Sequence, residues 1–368
     1  MRKFAAVVVL GLLTSSGGQA ASPRQRPIVG AIRWDAWIGD TPGSGVGREV
    51  ERSLGPKRWH TRLPFFAEER SDTEVRIRAN RQEVMDQEIA YAHGAGLDYW
   101  AFVMYAPDDP LTKGGLDLYL HSSHRRDMKY ALMVQPYTFA EADIARLVHA
   151  FAEDEYQKVA GGRPLVFLLG PRTVDDPQWP DAKARVANLR AEAARAGLKN
   201  PYIVHMWGWN DARRVIDWLG LDAMGAYSLN FEDRGAPYAA LATKTEGKWE
   251  EWRATRRKVF PLVMSGWDRR PRVENPVSWE PPNPPDAIEY YYDAPTPPEL
   301  AAHLRASLDW CARHSDAADA WGVVIYAWNE IDEGGWLVPS LWPGQGPSRL
   351  YAIGRVLREW SPPPDSGP

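Results

Sequence analysis

Short apolar runs alternate with longer stretches of helical periodicity along most of this chain. Eight runs are candidate strands: Ile28–Trp34, Leu97–Met104, Lys129–Gln135, Pro164–Leu169, Tyr202–Trp207, Leu221–Tyr227, Val259–Ser265 and Gly322–Trp328. Strands that alternate with helical segments are typical of a parallel sheet with crossover helices. Eight such units predict an α/β protein built as a single (β/α)8 TIM barrel, with a doubly wound sheet as the alternative fold.

The segment before the last candidate strand has the clearest helical pattern. Leu300, Leu304, Leu308 and Cys311 recur at the spacing of one helix face. The sequence Thr296-Pro297-Pro298-Glu299 ahead of them combines a capping box with proline at the first helical position. A helix is therefore expected from this capping box onward, with the only cysteine of the chain in the core.

Two connections are longer than a barrel needs. They are Ile38–Glu74 after the first strand and Gly266–Pro295 after the seventh. Long loops in compact domains are usually functional. Because both follow strands, we expect both at the C-terminal face of the barrel, where active sites of this fold are built.

The first twenty residues have the pattern of a secretory signal. Arg2-Lys3 is the charged start, Phe4–Leu13 the apolar stretch and Gly18-Gln19-Ala20 a small-residue cleavage site. The apolar stretch is too short for a stable membrane anchor, and no other segment is expected to span a membrane. We therefore predict a periplasmic or secreted protein with one catalytic barrel over residues 21–360 and a disordered tail over residues 361–368.

The charge balance and aromatic content narrow the class of ligand. A net charge of −4 and a pI near 6.1 argue against nucleic-acid binding, which needs a basic face. The chain has 18 Trp and 15 Tyr, and many of them follow candidate strands. Indole faces stack on sugar rings, so this pattern favours a carbohydrate surface, although aromatic residues also fill large cores.

Polar and aromatic side chains recur at the ends of nearly all the candidate strands. We predict that most of them line one substrate cleft: Trp34, Asp35, Trp37, Tyr105, Gln135, Tyr137, His205, Trp207, Trp209, Asn210, Tyr227, Trp267, Asp268, Arg269, Trp328, Asn329 and Trp336. A lone histidine such as His205 is more often a hydrogen-bonding partner than a metal ligand. No metal, phosphate-loop or dinucleotide motif is present in the sequence, so no metal and no cofactor are expected.

The last strand ends in the segment Trp328–Trp336, which holds three carboxylates between two tryptophans. If the chain turns helically there, the three-residue spacing of Glu330 and Glu333 brings their β-carbons to roughly 5–6 Å. Carboxyl groups at such a short separation suit a retaining glycosidase, and their mutual repulsion pushes their pKa values apart. Asp332 is a third candidate, and a solvated acidic turn is the alternative interpretation of the segment.

The arginines of the long loop after the seventh strand are a further candidate group. Arg269, Arg270 and Arg272 could hold an anionic substituent such as a uronate. A solvated loop face is the commoner explanation of such a run.

Trp328-Asn329-Glu330-x-x-Glu333-Gly334 resembles the WNExxEG signature of the endo-α-mannosidase glycoside hydrolases of family 99 and their WbsX-like relatives. The likeness extends to Val29–Trp37, Met85–Tyr105, Tyr156–Leu169 and the Gly266-Trp267-Asp268-x-Arg270 segment. The resemblance implies a (β/α)8 barrel and cleavage with retention.

The resemblance also implies a role for each acid. Glu330 would act as base on the 2-hydroxyl of the substrate, giving a 1,2-anhydro sugar, and Glu333 would protonate the leaving oxygen. This chain departs from the pattern at Ile331 and Asp332, where the endomannosidases carry Trp and His, and at Gly335–Pro339, where they carry a polar and acidic segment. These departures bear on the sugar, for which α-mannose is one candidate.

The sequence therefore predicts an exported retaining glycoside hydrolase that acts on a polysaccharide or glycan. The alternative is a carbohydrate-binding barrel without catalysis.

Overall fold

The computed structural model describes residues 26–37, 45–107, 109, 114–342 and 346–364. The expected signal sequence at residues 1–20 and the last four residues of the expected disordered tail lie outside these ranges. Both stay predictions, as does the division of the chain into domains.

The described residues contain fourteen strands. Their bounds are β1 Ile28–Arg33, β2 Ala67–Glu69, β3 Val75–Ile77, β4 Tyr99–Val103, β5 Lys129–Val134, β6 Lys158–Val159, β7 Arg163–Leu168, β8 Tyr202–His205, β9 Ala223–Met224, β10 Lys258–Val259, β11 Leu262–Met264, β12 Gly322–Tyr326, β13 Asn329–Glu330 and β14 Gly335–Trp336. Nine of them form a parallel sheet in the order β10-β9-β8-β7-β5-β4-β1-β12-β11, and β6 adds to β7. All eight candidate strands are present in this sheet.

The sheet closes on itself at its two end strands. β10 and β11 are consecutive in the chain and are separated only by Phe260 and Pro261. The amide of Phe260 donates to the carbonyl of Met224 at 2.7 Å, and the amide of Val324 donates to the carbonyl of Pro261 at 3.1 Å. Proline has no amide hydrogen, which accounts for the interruption. β10 and β11 are thus one strand with neighbours on both sides, and the predicted eight-stranded barrel is confirmed.

Ten helices of the described residues surround the strands or lie in the loops between them. Their bounds are α1 Val46–Leu54, α2 Gln82–Gly94, α3 Leu116–His121, α4 Glu141–Phe151, α5 Ala182–Arg195, α6 Ala212–Leu219, α7 Tyr238–Ala254, α8 Arg270–Glu274, α9 Pro297–Arg313 and α10 Ser348–Glu359. The predicted capping box at Thr296 is present at the start of α9, and Cys311 is fully buried. No helix among these is both long and apolar enough to cross a membrane.

The two long loops pack against each other at the C-terminal end of the barrel. The loop after β1 contains α1, the 3₁₀ turn Lys57–Arg62 and the β2–β3 hairpin, and the loop after β11 contains α8. α1 contacts both α8 and the turn Ile331–Glu333 that follows the last barrel strand. The expected position of both loops is confirmed, and together they form the walls around the acidic segment.

A buried tyrosine fills the barrel interior above a glycine. The Tyr99 hydroxyl donates to the carbonyl of Val323 at 3.1 Å, and its ring stacks on Phe167. A β-carbon on Gly30 would lie 2.3 Å from the ring of Tyr99, far inside van der Waals contact. Glycine at this position of β1 is therefore a packing requirement.

We expect Gly30→Ala to lower the free energy of unfolding by about 1–3 kcal/mol, the usual cost of overpacking a core. Gly247→Ala is the matched control, because Gly247 lies in the middle of α7 with open space around it. That change should raise stability by about 1 kcal/mol through helix propensity. Urea denaturation measures both. Equal effects of the two substitutions would contradict this account of the barrel interior.

Candidate active site

The segment from Asn329 to Trp336, called here the acidic turn, forms a small hairpin at the mouth of the barrel. β13 and β14 pair antiparallel, with Glu330 opposite Gly335, and the 3₁₀ turn Ile331–Glu333 connects them. Gly334 closes the turn at φ 86°, and a β-carbon there would lie 2.4 Å from the backbone nitrogen of Asp268. The expected turn after Trp328 is present, in 3₁₀ form, and only glycine fits its end.

Both glutamates of the acidic turn are buried and point to one arginine. The guanidinium of Arg272 donates to Glu333 Oε1 and lies 3.6 Å from Glu330 Oε2. The hydroxyl of Tyr227 donates to Glu330 Oε1, and the hydroxyl of Tyr326 donates to Glu333 Oε2. Glu330 Oε2 is buried without a hydrogen-bond partner among the described residues. One carboxyl is therefore fully bonded and the other keeps a free oxygen.

Arg272 itself is nearly inaccessible, at 3% exposure, and is surrounded by carboxylates. Its Nε and Nη2 donate to the two oxygens of Asp332 at 2.6 and 3.0 Å, and Nη1 donates to Glu280 at 2.8 Å. The guanidinium also lies 5.1 Å from the ring centroid of Trp34. Asp332 is thus a buried ion-pair partner and not a solvated turn residue.

The environments of the two glutamates displace their pKa values in opposite directions. Burial, then the charge of Glu333, raise the pKa of Glu330 well above its ordinary value, against the opposing charge of Arg272. Burial also acts to raise the pKa of Glu333, but the charges of Arg272 and Arg269 outweigh it, and that pKa is lowered. The two opposite shifts favour a shared state in which one proton is bound by the pair and Glu330 is the carboxyl that binds it more tightly.

Two adjoining cavities meet at this pair. The carboxylate cavity, of about 390 Å³, is lined by Trp34, Val46, Tyr105, Asp109, Gln135, Tyr137, Tyr227, Arg272, Trp279, Glu330 and Glu333. The proline cavity, of about 370 Å³, is lined by Tyr227, Ser228, Trp267, Arg269, Glu280, Pro281, Pro282, Asn283, Pro284 and Glu333. Tyr227 and Glu333 belong to both, so Glu333 stands between two spaces that each have an aromatic wall.

The structure brings many of the predicted site residues to these two cavities. Those that line them are Trp34, Tyr105, Gln135, Tyr137, Tyr227, Trp267, Arg269, Glu330 and Glu333. Asp268 and Trp336 instead line a separate cavity behind the acidic turn. The parallel barrel accounts for the convergence, because the carboxyl ends of its strands all lie at one face.

A second group of predicted residues is buried beneath the site. Its members are Asp35, Trp37, His205, Trp328 and Asn329. Trp328 Nε1 donates to Glu88 at 2.7 Å, and the amide of Trp34 donates to Asn329 Oδ1 at 2.9 Å. Residues of this kind hold the acidic turn and the wall of the carboxylate cavity in place.

The three predicted cleft residues that follow β8 lie elsewhere. Trp207 lies under the guanidinium of Arg172, Trp209 packs on Phe231, and Asn210 is exposed. They line neither cavity at the acid pair.

His205 is a buried, neutral side chain. Its Nε2 donates to the carbonyl of Pro171 at 2.8 Å, and burial lowers its pKa to about 4. This contact fits the hydrogen-bonding role expected from the sequence.

Sequence reasoning missed several residues that shape the site. They are Arg272 as the common partner of the acids, Tyr326, Trp279, Glu280, Asp109 and Val46. Tyr326 lies inside the last strand, and its position just before the acidic motif was a usable signal. Trp279 and Glu280 lie in an irregular loop, where no periodicity shows which side chains turn inward.

The closed barrel is similar to solved structures of one enzyme. It matches the glycoside hydrolase family 99 endo-α-mannosidase from Bacteroides thetaiotaomicron in complex with bis-tris-propane, with a TM-score of 0.55 and 15% identity over 91% of this chain and 98% of that chain. A second structure of the endo-α-mannosidase from the same organism gives a TM-score of 0.54 and 14% identity over the same shares. No protein-family model and no curated protein sequence matches the chain. At this identity the likeness shows the fold, and the resemblance expected from the motif is confirmed at that level.

We expect the raised pKa of Glu330 to make the protein less stable as pH rises. The folded state binds this proton more tightly than the unfolded state, so stability is lost from the ordinary value of 4.5 upward, at no more than about 1.4 kcal/mol per pH unit. Glu330→Gln should remove this part of the slope, as measured by urea denaturation at several pH values. The exposed Glu83→Gln is the control and should keep it. The same slope in wild type and Glu330→Gln would show that the proton is elsewhere.

Proposed function

We propose that the protein is an exported, retaining glycoside hydrolase that cleaves a glycosidic bond in a polysaccharide or glycan. The observation that carries the proposal is a pair of buried carboxyls, whose pKa values are displaced in opposite directions, in an aromatic-walled cleft at the C-terminal face of a barrel. One proton donor and one proton acceptor are what glycosidic bond cleavage requires. The likeness in fold to an endo-α-mannosidase supports it, and the pattern of residues 1–20 supports export.

The position of Glu333 between two cavities suits a substrate that extends to both sides of the broken bond. Trp34 offers an indole in the carboxylate cavity, and Trp267 offers one in the proline cavity. A sugar ring in each space would place the linking oxygen near the carboxyl of Glu333. Glu333 is then the general acid of the reaction.

Glu330 is the base in this proposal. Its free oxygen, Oε2, accepts the proton of the substrate 2-hydroxyl, whose oxygen attacks the anomeric carbon to form a 1,2-anhydro ring. The bond from the anomeric carbon to the leaving oxygen breaks as that oxygen takes the proton of Glu333. In the second step Glu333 takes a proton from water, the water oxygen attacks the anomeric carbon, and Glu330 returns its proton to the 2-oxygen. Two inversions give net retention.

In the free protein the raised pKa of Glu330 and the lowered pKa of Glu333 favour a proton on Glu330, whereas this mechanism begins with the proton on Glu333, so substrate binding has to reverse the preference. A 2-hydroxyl that donates to Glu330 Oε2 stabilises the ionised form of Glu330, which lowers its pKa. A glycosidic oxygen beside Glu333 stabilises the protonated form of that acid. The guanidinium of Arg272 contacts both carboxyls and remains in place for either arrangement.

We expect Glu330→Gln and Glu333→Gln each to lower kcat by at least two orders of magnitude, the usual contribution of a general acid or base. A screen of glycans for released reducing ends finds the substrate, and Glu83→Gln is the control. Wild-type turnover by both variants would overturn the proposal. Sugar binding by the wild type without any released reducing ends would instead favour a non-catalytic binding protein.

Substrates with an activated aryl leaving group distinguish the general acid from the base. Such a group needs no protonation, so Glu333→Gln should recover cleavage of the first bond, whereas Glu330→Gln should not. Recovery by Glu330→Gln alone would show that the roles are reversed, with Glu330 as the acid.

We also expect the aromatic wall of the carboxylate cavity to contribute to binding. Trp279 is 39% exposed at the cavity edge and packs against Trp34 with 5.9 Å between ring centroids. Trp279→Ala should weaken oligosaccharide binding about tenfold, or ~1.4 kcal/mol. Tyr351→Ala is the control, because Tyr351 is exposed on α10 away from the cleft. Calorimetry measures both, and equal losses would remove Trp279 from the binding surface.

A further inference from the structure

A third cavity, of about 460 Å³, lies behind the acidic turn and has a different character from the two at the acid pair. Four arginines line it: Arg58, Arg62, Arg270 and Arg349. We call it the arginine cavity. It shares no lining residue with the carboxylate cavity or the proline cavity. Its walls come from the loops after β1, β11 and the acidic turn and from the first residues of α9 and α10.

The positive charge of this cavity exceeds its negative charge. Asp268 accepts hydrogen bonds from both Arg62 and Arg270, and Arg58 is paired with Glu274 outside the lining. Asp293 is the other acid in the lining, and it is exposed to solvent. With Arg58 neutralised by Glu274, three guanidiniums therefore face two carboxylates.

Arg349 is the cation without a counter-ion. Its Nη1 donates only to the carbonyls of Ser265 and Trp336, at 3.3 and 3.0 Å, and no carboxylate of the described residues is within ion-pair distance. Burial lowers its pKa to about 9, and the nearby charge of Arg62 acts in the same direction. Arg349 is half-buried by accessible surface, and a cation partly removed from water is stabilised by a nearby anion.

Two indoles hold the guanidiniums in fixed orientations. Arg349 lies 3.7 Å from the ring centroid of Trp336, and Arg62 lies 4.6 Å from that of Trp59. Arg270 is also over Trp59, at 5.4 Å. Contacts of guanidinium groups with aromatic rings restrict their positions, which preorganises them for the paired hydrogen bonds that oxyanions accept.

From this arrangement we infer that the arginine cavity is a binding site for an oxyanion, namely a sulfate, phosphate or carboxylate group. Such a group supplies the missing charge opposite Arg349 and accepts bidentate hydrogen bonds from guanidinium groups. The polar side chains of Thr61, Ser340 and Ser348 are also in the lining. The anion can be free in solution or a substituent of a glycan, and both share this chemistry.

The site is joined to the acid pair by short contacts. The backbone amide of Asp268 donates to the carbonyl of Glu333 at 2.7 Å, and Trp336 lies on the strand that pairs with Asn329 and Glu330. An anion that draws Arg62 or Arg270 from the Asp268 carboxylate therefore acts on a residue that holds the acidic turn. The inference does not depend on the proposed hydrolysis, because it is tested by binding alone.

Calorimetric titration of the full chain with sodium sulfate and with phosphate, against sodium chloride at equal ionic strength, tests the site. We expect saturable binding of the oxyanions by the wild type and at least tenfold weaker binding by Arg349→Gln. Arg355→Gln, an exposed arginine on the same helix, is the matched control and should bind as the wild type does. Wild-type affinity in Arg349→Gln, or a response to sulfate no larger than that to chloride, would overturn the inference.

A second variant covers the case in which Arg349→Gln does not fold. The side chain of Arg58 is 58% exposed, so Arg58→Gln leaves the core intact and should weaken sulfate binding severalfold. Undiminished binding by this variant would count against the site.

The source of the anion is settled by oligosaccharides of equal length that are sulfated, uronate-bearing or neutral. A charged oligosaccharide that binds at least tenfold more tightly than inorganic sulfate, and loses that advantage in Arg349→Gln, assigns the site to a glycan substituent. Equal affinity for the charged oligosaccharide and for inorganic sulfate assigns the site to a free anion. If Arg349→Gln weakened binding of the neutral oligosaccharide as much as binding of the charged ones, that result would contradict an oxyanion site.

Discussion

The site depends above all on the burial of the Arg272 guanidinium among carboxylates. Burial acts to lower the pKa of this arginine, but the charges of Asp332 and Glu333 outweigh it and the pKa is raised well above its ordinary value. A buried guanidinium without those partners would be strongly destabilising. Since Arg272 belongs to the loop after β11 and the acids belong to the turn after β12, the ion pairs fix one loop against the other. The relative position of these two segments, and with it the shape of the cleft, therefore depends on the ion pairs of Arg272.

The unequal distribution of hydrogen bonds around Arg272 gives the two glutamates different chemistry. Asp332 accepts hydrogen bonds from two nitrogens of the guanidinium and Glu333 accepts one. Glu330 accepts none, and its Oε2 lies 3.6 Å from Arg272 Nη2. Asp332 is one of the positions at which this chain departs from the endo-α-mannosidase motif, and in the fold it is part of the electrostatic cluster. The charge of Asp332 acts to raise the pKa of Glu330, while Ile331 beside it is buried among apolar side chains.

The fold was predictable because its signal is repeated. Eight apolar runs and the capping box at Thr296 each carried local evidence, and the barrel follows from their number and order. For the site, only residues at the ends of strands could be predicted. Strand ends identified Tyr227, Glu330 and Glu333, but they do not show which neighbouring side chains enter the cleft: Trp328 is buried and bonded to Glu88 instead. Arg272 comes from a loop, and its partners are about sixty residues away in the chain.

The arginines after the seventh strand have different environments in the structure. Arg269, Arg270 and Arg272 are close in the sequence, yet they divide between the two sides of the acidic turn. Arg269 and Arg272 are neutralised by Glu280 and the acids of the turn, so neither is left to attract an anionic sugar in the cleft. Arg270 lies on the far side, bonded to Asp268. The positive charge without a carboxylate partner among the described residues is therefore at Arg349 in the arginine cavity and not at the acid pair.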